Sequence, residues 1–166
     1  MARSSGDVSV TLSVLDRLID REPGNSAEVH PSRTESVRQL KRAVRRDLEW
    51  LLNTRCNVPD PEESMQELSH SLYVYGLPDF SSYSMSSPDD QSRLLRHILA
   101  AIKLFEPRLG SVWLSPVEGG VAGVQRVKLR IDAMLLMDPA PEPVSFDTYL
   151  ELRSGVCRLT GDSDAR

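Results

Sequence analysis

The chain has 166 residues, enough for one ordinary domain and a tail, and its 40% hydrophobic and 27% charged residues are typical of a soluble globular protein. A net charge of −4 disfavours nucleic acid as the main partner, and no apolar run approaches the length that spans a membrane. The N-terminus lacks the apolar core of a secretory signal, and Cys56 and Cys157 stand apart with no CxxC pair, so reduced cysteines in the cytoplasm are expected.

Residues 8–20 carry Leu12, Leu15, Leu18 and Ile19 at near-helical spacing, which predicts a short amphipathic segment with one apolar face. Glu22-Pro23-Gly24 and His30-Pro31 separate it from the rest of the chain. A helix this short is not stable by itself, so it either folds back on its own domain or docks into another subunit. A long helix is predicted from Glu35 to Asn53, with Val37, Leu40, Val44, Leu48, Leu51 and Leu52 as its buried stripe. Ser32 or Thr34 would cap its start. The opposite face, from Arg38 through Lys41, Arg42, Arg45 and Arg46 to Asp47 and Glu49, reads as a solvated charged face. An acidic partner is the sharper alternative for it, and nucleic acid the blander one.

Prolines, Gly76 and a run of serines predict loops from Asn57 to Pro88, interrupted by the apolar Leu72-Tyr73-Val74-Tyr75. His70 and His97 have no ligand partners in sequence and are expected to be structural or surface residues. Ser87-Pro88-Asp89-Asp90 has the cap, the proline and the acids of a helix N-terminus. The second long helix, starting there, would bury Leu94, Leu95, Ile98, Ala101, Ile102 and Phe105. Pro107 ends it, because proline offers no N–H and forces Glu106 out of helical geometry. Glu106 and Arg108 thus flank a rigid proline at an element boundary. Paired with each other they form a structural clamp; offered to a partner they form a charged docking point.

Beyond Pro107 the hydrophobic period drops to two. A strand is predicted from Ser111 to Val117, with Trp113 opposite Val112 and Leu114, and Glu118-Gly119-Gly120 supplies a loop. Residues 126–137 alternate most strongly, with Val127, Leu129, Ile131, Ala133, Leu135 and Met137 on one face. After the proline-rich turn 138–143, Val144, Phe146, Thr148, Leu150 and Leu152 alternate with polar residues, and Ser154-Gly155 reverses the chain into Val156-Cys157-Arg158-Leu159. Helices first and strands last predict an α+β fold, amphipathic helices followed by a four-stranded antiparallel β-sheet. The chain divides into an N-terminal segment and linker (1–33), a domain (34–160) and a polar tail (161–166). The last strand lies near the chain end, so its edge is either protected or open to a strand from another protein.

No nucleophile elbow, phosphate loop, HExxH or CxxC is present, and nothing in the pattern calls for a cofactor or metal. The one catalytic proposal worth weighing makes Glu106 the acid of a glycosidase. That role needs a carboxyl kept protonated, and a neighbouring guanidinium works against it.

Four stretches occur together and in order: Leu15-Asp16-Arg17-Leu18, the run from Val44 to Arg55, Tyr75-Gly76-Leu77-Pro78-Asp79, and Phe105-Glu106-Pro107-Arg108-Leu109. In these the chain resembles the lysozyme-like baseplate-wedge family of contractile phage tails, and within it the TssE subunits of bacterial type VI secretion systems, over residues 10–160. The resemblance implies a non-enzymatic α+β subunit that joins a wedge with TssF, TssG and TssK and contacts the first sheath ring of TssB and TssC. It implies a cytoplasmic baseplate docked at the inner-membrane complex. Glu106, Pro107 and Arg108 match the family's signature, which is associated with sheath attachment. Leu12, Leu15, Leu18 and Ile19 are then candidates for insertion among wedge subunits. The competing reading, suggested by the "lysozyme-like" name, is a peptidoglycan-cleaving hydrolase. Glu106→Gln separates the two, since an assembly subunit has no turnover to lose.

Overall fold

The computed structural model describes residues 12–19, 24, 32–56, 61–62, 64–84, 86–117, 126–151 and 154–162. The expected linker around Glu22-Pro23, the Glu118-Gly119-Gly120 loop, Leu152 and the tail beyond Asp162 lie outside them.

Helix α1, Val14–Leu18, starts at Ser13, whose hydroxyl accepts from the Asp16 amide. Helix α2, Arg33–Asn53, starts at Ser32, whose hydroxyl accepts from the Glu35 amide, so Ser32 and not Thr34 is the cap. Leu40, Val44, Leu48, Leu51 and Leu52 are buried as their spacing predicts, joined by Ser36 and Ala43, while Val37 is half-buried. Helix α3, Pro88–Phe105, has Ser87 as its cap and Pro88 in its first turn, and it buries Leu94, Ile98, Ala101 and Ile102. Leu95 and Phe105 are half-buried against the same core.

Four strands complete the chain: β1 Leu109–Pro116, β2 Arg126–Leu135, β3 Glu142–Glu151 and β4 Cys157–Asp162. They pair antiparallel in the order β1-β2-β3-β4, which makes the fold α+β as the pattern predicts. One sheet face, built from Val112, Leu129, Ile131, Leu135, Val144, Phe146 and Leu150 among others, meets the helices in a single core. Each such side chain contributes about 2 kcal/mol on burial. Helix α2 packs on β4 and α3 on β1.

Strand β1 begins at Leu109, ahead of the expected Ser111, because Leu109 already pairs with Leu135. The register then shifts between Gly110 and Trp113, where Ser111 has φ +48°. This bulge keeps Val112 in the core and leaves Trp113 73% exposed. Strand β4 runs through Gly161 to Asp162, into the stretch expected to begin the tail.

The expected loop region is pinned to the body. It makes two 3-10 turns, Leu68–His70 and Leu72–Val74, and then a parallel bridge between Arg55 and Leu77. Gly76 sits at φ +113°, and a Cβ there would lie 2.5 Å from the Thr54 carbonyl oxygen. The absent side chain lets the Leu77 amide reach that oxygen at 2.9 Å. Leu77 and Phe80 are each 1% exposed, so this strap carries part of the core.

Candidate docking site at the Glu-Pro-Arg junction

The end of α3 is set by its proline. The Glu106 amide still donates to the Ile102 carbonyl at 2.9 Å, but its own φ and ψ, −123° and 73°, leave the helix. The Glu106 carbonyl then accepts from the Leu109 amide at 3.1 Å and closes a turn around Pro107. The Arg108 carbonyl accepts from the Leu136 amide at 2.8 Å, which fastens the turn to the end of β2.

This turn points Glu106 inward, where it is 3% exposed. Arg108 Nε donates to its Oε1 at 2.6 Å, and Arg108 Nη2 donates to its Oε2. The fork-to-fork match supplies the charge and the geometry that a buried carboxylate needs. Arg108 Nη2 also donates to Asp47 Oδ2 at 2.7 Å. Asp47 Oδ1 accepts from Arg46 Nε at 2.8 Å, and Arg46 Nη1 donates to Asp16 Oδ1 at 2.6 Å. The result is a chain of alternating charge, Asp16–Arg46–Asp47–Arg108–Glu106, that joins α1, α2 and the α3–β1 turn.

Those contacts set the protonation states. The hydrogen bonds from Arg108 to Glu106, together with its bond to Asp47, outweigh burial and hold its guanidinium firmly ionised. Burial works against the charge of Arg46, but the hydrogen bonds to Asp16 and Asp47 prevail and raise its pKa. Burial likewise disfavours the Asp16 carboxylate, yet the bonds from Ser13 and Arg46 win and lower its pKa. Tyr75, whose ring meets Phe105 edge-on at 5.0 Å, has its phenol pushed up by burial and by the carboxylates of Asp47 and Glu106.

Above the ion-pair chain lies an open groove of about 460 Å³. Its apolar walls include Leu15, Trp50, Tyr75, Phe105 and Pro107. Trp50 is 53% exposed and is stacked by the Arg46 guanidinium at 5.0 Å. Pro107 is exposed too, while Arg108 is half-buried. Glu106 and Arg108 are paired with each other, and both also line the groove.

Helix α1 is inverted relative to an ordinary surface helix. Its acidic residue, Asp16, has a side chain 6% exposed in the pair with Arg46. Its apolar residues and its C-cap face out, with Val14 72%, Leu15 47%, Leu18 76% and the cap Ile19 43% exposed. Leu12 is the exception and packs on the core. Leu15 thus shares the groove with Pro107, whereas Leu18 and Ile19 are not among its lining residues.

Sequence reasoning misses Asp16, Arg46 and Asp47 as a unit, together with Trp50 and Tyr75. In sequence Arg46 and Asp47 read as part of a solvated face, and no spacing along one helix reveals a partner 61 residues away. All of these residues lie in stretches that carry the family resemblance: Leu15-Asp16-Arg17-Leu18, the run from Val44 to Arg55, and Tyr75-Gly76-Leu77-Pro78-Asp79.

The other feature of interest is the outer edge of β4. The Glu151 amide bonds the Val156 carbonyl, so the backbone groups of Val156, Arg158 and Thr160 turn toward β3 and those of Cys157 and Leu159 turn outward. Asn53, at the end of α2, meets the first outward pair. Its Oδ1 accepts from the Cys157 amide and its Nδ2 donates to the Cys157 carbonyl, both at 2.8 Å. One side-chain amide thereby occupies the place of a neighbouring strand.

For hydrolysis the site is badly equipped. Both Glu106 oxygens accept from Arg108, and a general acid has to reach a substrate oxygen. Among the described residues no group of His, Cys, Asp and Glu could hold a metal, and no helix is long and apolar enough to cross a membrane.

Residues 38–140 match the family model described as baseplate wedge protein gp25. A comparison with curated proteins gives no match. The matched span holds most of α2, all of α3, the Glu106-Pro107-Arg108 turn, β1 and β2, with the ion-pair chain from Arg46 to Glu106 inside it and its Asp16 end outside. The chain belongs to the baseplate wedge protein gp25 family.

Proposed function

We propose that this baseplate wedge protein serves a type VI secretion system, joining a wedge with TssF, TssG and TssK and anchoring the first ring of the TssB–TssC sheath. The observation that carries the reading is the division of labour at the junction. Glu106 and Arg108 are spent on each other, so the motif acts by fixing α1, α2, α3 and β1 in one arrangement. What it exposes most is apolar: Pro107, Trp50, Leu15, and the outward side of the α1 segment with Leu18 and Ile19. These residues form the wedge-facing surface. The sheath takes the free part of the sheet edge, where the outward backbone groups of Leu159 accept a strand beyond the position that Asn53 fills. On this reading residues 34–160 form the working domain, 1–33 its partner-seeking segment and linker, and 161–166 a tail. The protein works on the cytoplasmic side, at a baseplate docked to the inner-membrane complex.

Copurification of the tagged full chain with TssF, TssG and sheath proteins tests the assignment, comparing wild type with Leu18→Glu and Arg108→Ala. Leu18→Glu should keep the wild-type melting temperature and lose wedge binding. Arg108→Ala should lower the melting temperature and weaken both associations together. Retention of wedge subunits by Leu18→Glu would remove α1 from the interface, and failure of folded wild type to bind either set would sink the secretion-system assignment.

A further inference from the structure

The outer ridge of α3 differs from the other basic surfaces of the molecule. Arg93, Arg96, His97, Ala100, Lys103 and Leu104 recur every three or four residues, so they form one stripe, and all six are exposed. On α2 the basic side chains are largely neutralised: Arg38 and Arg42 pair with Glu35, Lys41 with Glu142, and Arg46 with Asp16 and Asp47. Arg93, Arg96 and Lys103 make no salt bridge or side-chain hydrogen bond with any described residue, although the chain carries a net charge of −4.

Along this stripe runs a cleft of about 630 Å³ between α3 and the strap, lined by Cys56, Val74, Pro78, His97, Ala100 and Leu104 among others. Ala100 makes a low point in the ridge between Arg96 and Lys103, so a second backbone can approach closely there. The strap also leaves Leu72 79% and Tyr73 41% exposed. A ridge kept for solubility has no need of an apolar cleft at its foot. A purely apolar contact has no need of three cations that no described acid pairs.

We propose that this ridge and cleft dock an acidic amphipathic helix of a partner protein. Its carboxylates face Arg93, Arg96 and Lys103, and its apolar ridge lies in the cleft over Ala100. The stripe from Arg93 to Lys103 is about 15 Å long at 1.5 Å per residue, which matches roughly three turns of a facing helix. A lipid surface or a nucleic acid would engage the cations and leave the cleft unfilled. The surface meets the groove above Glu106 only at Phe105 and does not use the edge of β4, and its test needs no secretion-system partner, so its failure is distinguishable from that of the secretion-system reading.

The probe is a short designed helical peptide with leucines on one face and glutamates flanking them, titrated into the full chain by fluorescence anisotropy. Its lysine-for-glutamate counterpart is the control. The acidic peptide should bind and the control should not. Arg93→Glu/Arg96→Glu/Lys103→Glu should keep the wild-type melting temperature, weaken the acidic peptide about tenfold and accept the control instead. Ala100→Trp, which fills the low point, should weaken it as well. Unchanged binding in the triple variant overturns the proposal, as does no binding by wild type. Unchanged binding in Ala100→Trp, with duplex DNA or phosphatidylglycerol vesicles held as tightly as the peptide, also overturns it and leaves a plain electrostatic patch.

Discussion

Glu106 is a carboxylate only 3% exposed. Its whole compensation comes from Arg108, so the two residues fail unequally when they are changed. Arg108→Ala strands a buried negative charge and should cost about 3 kcal/mol, read as a lowered urea midpoint at unchanged slope. Glu106→Gln/Arg108→Met, which removes both charges, should recover a large part of that loss. A double variant no better than Arg108→Ala would show that the pair does something other than neutralise itself. The two thiols differ just as sharply. Cys157 is 2% exposed and its thiol is pushed up to about 12, first by burial. Cys56 is half-buried at the mouth of the cleft. Maleimide at neutral pH should therefore label Cys56 in the folded protein and reach Cys157 only after unfolding. Equal labelling of both would contradict the packing of β4 against α2.

At the level of elements, the caps and periods are readable and the seams between elements are not. Ser32, Ser87 and Pro88 mark helix starts by chemistry that acts within four residues, and the stripes of α2 and α3 are buried because helical spacing dictates it. The alternation in β2 and β3 announces a sheet for the same local reason. The α1–α2–α3 junction is hidden, because Asp16, Asp47 and Glu106 come from three distant stretches and meet only after packing. The bulge at Ser111 is equally invisible, since a serine at φ +48° is imposed by its surroundings and not by its own preference. Asn53 is the instructive miss. A polar residue at the end of a helix looks unremarkable in sequence, yet it stands in for a fifth strand. Asn53→Ala should cost about 2 kcal/mol, chiefly through the two hydrogen bonds lost to Cys157, with the one to the Glu49 carbonyl lost as well. It should also speed amide exchange at Cys157, where a backbone donor loses its acceptor. An unaltered exchange rate there would mean that α2 covers the edge by bulk alone.

For the molecule as a whole, the same ionisations bound the range of pH in which it is stable. Asp16 titrates below the ordinary 3.8, the bonds from Ser13 and Arg46 having overcome burial, and Asp147 does so chiefly through Arg130. Both carboxyls bind protons less readily folded than unfolded, so their contribution is present above that ordinary value and is lost as pH falls through the lower folded ones. Cys157 acts at the other end. Its thiol stays protonated toward pH 12 in the fold but ionises near 9.0 in the unfolded chain. Stability should thus fall as pH climbs from the second value toward the first, and Cys157→Ala should remove its share and leave that of Tyr75, whose phenol is also raised. A urea midpoint that stays level across this alkaline range in wild type would contradict the burial of Cys157.

The orientation of α1 has a consequence for how such a molecule changes over generations. Val14, Leu15, Leu18 and Ile19 face outward, so the fold draws little of its own stability from them. Substitutions there are nearly invisible to the folding of the domain, while Asp16 and Leu12 keep the helix moored. With α1 facing the wedge, as proposed, the segment would behave like an exchangeable address label: it could be rewritten to follow a changing neighbour, or transplanted between relatives, while the core beneath it stays the same.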